Sequence, residues 1–231
     1  MYRKDSEFLD FLGEWVESLK PVKVEKIFHQ PENVAIISVD VINGFCKFGP
    51  LSSPRVNSIV APIVALFMRA WQAGCRNIVL TQDTHEPDAV EFGAYPPHCV
   101  RGTEEAETVS EIKGLPFFDH ITVLEKNSID SGLDSGLDTW IAAYPRVHTF
   151  IVVGDCTDLC TYQLAMHLRL SANEQQKDWR VIVPEDCTDT YDTSIKAAQE
   201  INAFPHPADF FHHTFLYHMA LNGIEVVKEV N

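Results

Sequence analysis

No apolar run in this sequence approaches the roughly 20 residues that a membrane helix needs, so no membrane-spanning helix is expected. No long Gly-, Pro- or Ser-rich stretch and no low-complexity segment interrupts the 231 residues. That leaves no evident place to divide the chain, and one domain over 1–231 is expected, with 1–32 as an N-terminal helical extension. Positive charge is scarce: 18 Lys and Arg against 33 Asp and Glu give a formal net charge of -15. With no basic patch to offset it, phosphate backbones and anionic lipid are repelled; nucleic acid and membrane surfaces are excluded as partners, and a small neutral substrate fits better. An apolar signal core is also missing, since Met1-Tyr2-Arg3-Lys4-Asp5-Ser6-Glu7 leads into an amphipathic pattern, so a cytoplasmic protein is expected. Of the six cysteines (46, 75, 99, 156, 160 and 187) none forms a CxxC pair, and a chain of this length does not need disulfides. They are expected to be thiols.

What is present is a globular composition, 45% hydrophobic and 22% charged, laid out in alternating periods. Phe8, Leu9, Phe11, Leu12, Trp15, Val16 and Leu19 recur at helical spacing before Pro21, predicting a docking helix over 6–20. Short apolar runs at 33–40, 77–82, 121–126, 149–154, 180–184 and 224–228 read as strands. Between and after them, helices are predicted at 54–73, where Ser53-Pro54 supplies a cap and first turn, and at 104–112, 137–144, 160–172, 194–201 and 208–221. Alternation of this kind predicts an α/β fold: three layers, α/β/α, around a mainly parallel, doubly wound sheet of six strands. Ligands of such sheets bind beyond the carboxyl ends of the strands, where Asp40, Asp83, Lys126 and the turn before Cys160 all fall.

The run from Thr149 to Cys160 sets a buried strand against a small-residue turn and a helix start. Cys160 falls on the first helical turn, where unpaired N–H groups and the helix dipole favour a thiolate. On its own it reads more readily as a buried core cysteine, the commoner fate of a lone thiol, and only its partners elsewhere favour the nucleophile. A nucleophilic thiol needs a proton acceptor and a positive neighbour, which Asp40 and Lys126 can supply. The backbone N–H groups of Cys156 and Cys160 can hold an oxyanion. An ordinary ion pair at the sheet edge is the alternative for Asp40 with Lys126. Asp83-Thr84-His85, Glu91 and His98 offer carboxylate and imidazole ligands suited to zinc, iron or manganese. Alternatively, Asp83 caps a turn, the histidines lie on a loop surface and Glu91 is solvated. His206, His212, His213 and His218 read as surface or core filler, because adjacent helical positions diverge by about 100°.

Five motifs occur in one order: Val39-Asp40-Val41-Ile42-Asn43-Gly44-Phe45, Asp83-x-His85, Pro96-Pro97-His98-Cys99-Val100-x-Gly102-Thr103, Lys126, and Gly154-x-x-Thr157-Asp158-x-Cys160. In this the chain resembles the isochorismatase-like cysteine hydrolases, and most closely their nicotinamidase branch of the plant type, from about residue 33 to the His212-His213 region. The resemblance implies a catalytic triad of Asp40, Lys126 and Cys160, with an oxyanion hole from the amides of Cys156 and Cys160. It also implies a divalent metal, zinc first, with iron or manganese as alternatives, on Asp83, His85 and His98. Glu91 would match the fourth position, which is His in some members and Glu in others. Phe45 and Tyr95 match aromatic positions flanking the substrate ring, and Asp155–Cys156 matches a non-proline cis peptide. Many members read Asp-x-Gln-Asn-Asp-Phe where this chain has Asp40-Val41-Ile42-Asn43-Gly44-Phe45. The implied activity is hydrolysis of nicotinamide to nicotinate and ammonia through a thioester, by a homo-oligomer. The alternatives are another small amide or carbamoyl substrate, or a ligand-binding relative without catalysis.

Overall fold

Every residue of the first strand, Val34–Val39, is buried, because both faces of the sheet are covered. Its side chains alternate between two cores, Val34 and Ile36 packing into one, Ala35, Ile37 and Val39 into the other. The computed structural model describes residues 5–231; the first four residues, part of the expected extension, lie outside the described residues. Along the chain come α1 (Asp5–Ser18), α2 (Val24–Ile27), β1 (Val34–Val39), α3 (Asn43–Cys46), α4 (Pro54–Ser58), α5 (Val60–Gln72), β2 (Asn77–Asp83) and α6 (Ser110–Lys113). They are followed by β3 (Thr122–Lys126), α7 (Leu137–Ala143), β4 (Thr149–Asp155), α8 (Cys160–Glu174), β5 (Arg180–Pro184), β6 (Thr188–Asp189), α9 (Ile195–Glu200), α10 (Ala208–Leu221) and β7 (Glu225–Val227).

The sheet runs β3-β2-β1-β4-β5-β7 with all pairs parallel, and helices cover both sides: α5 against one face, α7, α8 and α10 against the other. The chain winds outward from β1 through β2 to β3, then returns to the other side of β1 as β4. The switch point therefore lies between the ends of β1 and β4, where an open α/β sheet leaves a crevice. The sheet has seven strands, not the expected six: Thr188–Asp189 in the acidic loop pairs with Gly154 and Asp155. Gly154 makes the crossing possible, since a Cβ there would lie 2.0 Å from the carbonyl oxygen of Val39, and its φ is +116°.

Two helices differ from expectation for local reasons. The 54–73 helix breaks at Ile59, and the restart leaves Pro62 in the first turn of α5, where it needs no N–H donor; the first bond of that helix runs from Ile63 N–H to Ile59 O at 3.0 Å. The 104–112 helix is a 3-10 turn at Glu104–Ala106 followed by extended backbone and then α6. There Glu107 O accepts from Asn43 N–H at 2.9 Å, so the segment braces the loop after β1 instead of coiling. Helix α1 docks as its apolar stripe predicts: Leu12 and Val16 are buried, and Phe8, Phe11 and Trp15 each meet Tyr217 of α10 edge-on. Among the described residues no helix is long and apolar enough to cross a membrane, and all six cysteines are free and buried.

Candidate active site and metal centre

The parallel registers bring the ends of four strands together. Asp83 and Lys126 are paired positions on β2 and β3, and Val39 lies opposite both Thr81 and Gly154. Asp40 follows directly, with φ of 56°, a left-handed conformation that Asp tolerates better than most residues. Its Oδ1 accepts from the N–H of Asp83 at 2.7 Å, and its Oδ2 lies 2.8 Å from Lys126 Nζ. Lys126, whose side chain is wholly buried, also donates to Asp83 Oδ1 and lies 3.7 Å from Cys160 Sγ. The sequence thus yields a buried ammonium that contacts both a carboxylate and a thiol, the latter two within 4.8 Å of each other.

Their electrostatics suit acid–base work. Burial, with the neighbouring charge of Asp83, raises the Asp40 carboxyl to about 6, despite the opposing pull of Lys126. Burial likewise pushes the Cys160 thiol well above its ordinary range, with Lys126 opposing that rise. Burial works against the Lys126 ammonium, but Asp40 and Asp83 outweigh it and hold the group protonated. At rest the site therefore holds a neutral thiol beside a fixed cation and a carboxylate whose proton affinity is close to neutral pH.

Helix α8 begins at Cys160 with no side-chain cap on its first turn. Neither the Cys156 nor the Cys160 N–H donates to a backbone carbonyl among the described residues, so both remain available to an anion. The peptide between Asp155 and Cys156 is cis.

Asp83, His85 and His98 place one ligand atom each within 4.8 Å of one another, all three buried. His98 Nδ1 lies 2.8 Å from the carbonyl of Pro96 and His85 Nδ1 lies 2.8 Å from Asn127 Oδ1. Such acceptors hold the proton on Nδ1 and leave the Nε2 lone pairs facing Asp83 Oδ2, at 3.5 Å from His85 and 3.9 Å from His98. His85 Nε2 is buried without a hydrogen-bond partner. An orphaned imidazole nitrogen, a second one beside it and a carboxylate make a donor set that fits a divalent cation. Glu91 stands at the edge, its Oε1 4.0 Å from His85 Nε2.

Both groups open on one narrow pocket lined by Asp40, Phe45, Leu51, Asp83, Glu91, Tyr95, His98, Ile129, Asp155, Cys156, Leu159 and Cys160. Phe45 and Tyr95 flank His98 with ring centroids at 5.6 and 6.3 Å. Roomier surface grooves near Val24–Phe28 and Pro145–Trp179 contain no cysteine. In the loop after β1, Val41 and Ile42 are core residues, and a Cβ on Gly44 would come within 2.5 Å of Cys99 Sγ.

Several functional neighbours have no sequence signal. Asp83 touches Lys126 as well as the histidines, joining the two groups. Asn127 orients His85 only because β3 ends beside β2. Of the four C-terminal histidines, His218 is exposed, but two are more than filler: His206 Nε2 bonds Asp158 Oδ2 at 2.8 Å, and His212 Nδ1 bonds Thr157 Oγ1 at 2.8 Å. Both clamp the turn that carries the free amides.

A doubly wound parallel sheet with a thiol, carboxylate and ammonium buried at its switch point defines a three-layer α/β protein with a candidate cysteine-dependent active site. The chain belongs to the isochorismatase domain family, whose model matches residues 34–210. It is 28% identical over 228 residues to Nicotinamidase 1 of Arabidopsis thaliana, covering 91% of this chain and 93% of that protein. Among solved structures it is similar to a cysteine hydrolase from Pseudomonas syringae (TM-score 0.71, 20% identity, 86% of this chain and 89% of that one). A pyrazinamidase/nicotinamidase from Streptococcus mutans is similar as well (TM-score 0.67, 20% identity, 84% and 99%).

Proposed function

We propose that this amidohydrolase converts nicotinamide to nicotinate and ammonia through a thioester on Cys160, and that it requires a divalent metal, zinc or alternatively iron or manganese. One observation carries the reading: Lys126 Nζ meets Asp40 at 2.8 Å and Cys160 Sγ at 3.7 Å, on the cavity that Asp83 and His98 also line. The relative from Arabidopsis, similar over most of both chains, supports the choice of substrate.

In this mechanism Asp40 takes the thiol proton as Sγ attacks the carboxamide carbon, and Lys126 stabilises the sulfur anion. The amides of Cys156 and Cys160 hold the oxyanion. Asp40 returns its proton to the amide nitrogen as the C–N bond breaks, releasing ammonia and leaving the thioester. Asp40 then deprotonates a water that attacks the thioester; the C–S bond breaks, nicotinate leaves and the proton returns to Cys160. Asp83, His85 and His98 would hold the metal, with Glu91 beside them, and the metal when bound would offer a coordination site to the pyridine nitrogen. Phe45 and Tyr95 would flank the ring. The same reading makes this a cytoplasmic, homo-oligomeric enzyme of NAD salvage, in which 1–231 is one domain.

The test is ammonia release from nicotinamide by the purified protein, supplied in turn with zinc, iron and manganese. Release that depends on metal and on Cys160 is the expected result. Absence of release with all three metals would overturn the substrate assignment.

A further inference from the structure

Asp155 ends β4 one residue before Cys156, and it lines the candidate catalytic pocket with 1% of the residue exposed. Its Oδ1 is buried without a hydrogen-bond partner among the described residues. The nearby ammonium, Lys126, is already occupied by Asp40 and Asp83. An unpaired carboxylate in such a place is costly, so the group rests as a neutral acid with one donor and one acceptor. Burial first, then the charge of Asp40, pushes the Asp155 carboxyl well above the usual carboxylate range. The same pocket is lined by the apolar Phe45, Leu51, Ile129 and Leu159 and by the polar Glu91, Tyr95 and His98, none of which hydrogen-bonds Oδ1. What satisfies Asp155 is therefore the ligand.

The attack geometry says which part of the ligand. The carbonyl oxygen goes to the Cys156 and Cys160 amides and the carbon to Sγ, so the nitrogen turns toward Asp40, which must protonate it. Asp40 and Asp155 directly follow Val39 and Gly154, which are paired across β1 and β4, so the two carboxyls stand at neighbouring strand ends.

We propose that Asp155 is a specificity-determining residue of this site: its carboxyl hydrogen-bonds the amide nitrogen of the substrate and selects unsubstituted carboxamides over esters of the same acid. The proposal rests on the amidohydrolase reading and adds to it a group outside the triad and the metal ligands.

The experiment compares kcat/KM of wild type, Asp155→Asn and Asp155→Leu on nicotinamide and on methyl nicotinate, which has the same ring and carbonyl but no N–H. Asp155→Leu should lower amide turnover by roughly tenfold or more, the size of one buried hydrogen bond, and leave the ester within a few-fold. Asp155→Asn, which keeps a donor and an acceptor, should retain the amide preference. Equal loss on both compounds, or no loss on either, would overturn the proposal. Affinities for the two compounds, measured by calorimetry in the Cys160→Ala background, form a second arm: Asp155→Leu should weaken nicotinamide selectively. If wild type hydrolyses neither compound, the substrate reading fails while this binding arm still decides the role of Asp155. Should Asp155→Leu not fold, Asp155→Ala gives the same comparison.

Discussion

Replacing Lys126 with Met tests the core of the site, because it keeps most of the side chain's volume and removes only the ammonium. In the protein that ammonium is fully buried against two carboxylates, Asp40 and Asp83, neither more than 2% exposed. Removing one partner of a buried pair strands the other, at about 3–5 kcal/mol, whereas an exposed pair is worth about 0–1 kcal/mol. Lys126→Met should therefore lose about 3–5 kcal/mol of a total that for domains of this kind is about 5–15 kcal/mol, leaving it folded but weakened. The loss also has a pH signature. Without the cation, the carboxyls bind protons more tightly in the folded state than in the unfolded one, so their folded pKa values lie above the unfolded ones. Their penalty is small below the unfolded value, about 3.9, and grows as pH rises through the folded values, already about 6 for Asp40 with Lys126 present. Urea unfolding followed by circular dichroism between pH 4 and 8 checks both points. Asp40→Asn and the double variant complete a cycle, in which the two losses should couple by more than about 1 kcal/mol. A Lys126→Met loss below about 1 kcal/mol, independent of pH, or strict additivity in the cycle, would refute the buried triad of charges.

Cys160→Ala should abolish ammonia release while keeping the wild-type melting temperature and nicotinamide affinity, since no other thiol lies beside Lys126; thermal melting and calorimetry check this. Benzamide lacks the ring nitrogen, so it should react at least roughly tenfold more slowly than nicotinamide, and chelation or His85→Ala should erase most of that difference, not slow both alike. His206, stacked between Tyr191 and Phe211, is raised in pKa: burial opposes its charge, but the hydrogen bond and charge of Asp158 prevail. Its contribution to stability is thus complete below the unfolded imidazole value, about 6.5, and fades as pH rises through the higher folded one. Melting temperatures across that window should fall in wild type and be flatter in Asp158→Asn.

The parts of this molecule legible from the sequence are those dictated by neighbours along the chain. The apolar runs that become β1, β2, β4 and β5 are buried on both faces, so composition alone marks them, and the stripe from Phe8 to Leu19 marks α1. The juxtaposition of Asp40, Lys126 and Cys160 could be read because each ends or directly follows a strand, or opens the helix after one, and strand ends converge in a parallel sheet. The break at Ile59 was hidden because the cap at Ser53-Pro54 and the stop at Gly74 are both genuine signals, while Pro62 acts only on the turn before it. β6 was hidden because two residues of ladder carry no period.

The supports of the site are different in kind, and their invisibility follows from the same physics. Thr157 and Asp158 are held from 55 and 48 residues away by His212 and His206, so no local pattern could link them. Spacing along a helix argued only that His212 and His213 cannot share a metal; it said nothing of what lay opposite each. The same holds for Asp155, which in sequence is one acidic residue after a glycine. Its position becomes chemical only when β1 lies on one side, β6 on the other, and the cavity in front. A polar residue at the buried end of a strand breaks the pattern that makes the strand stable, and no group among the described residues hydrogen-bonds Oδ1. Such a residue weakens the empty fold and strengthens the occupied one, which is the property expected of a group whose partner is the substrate.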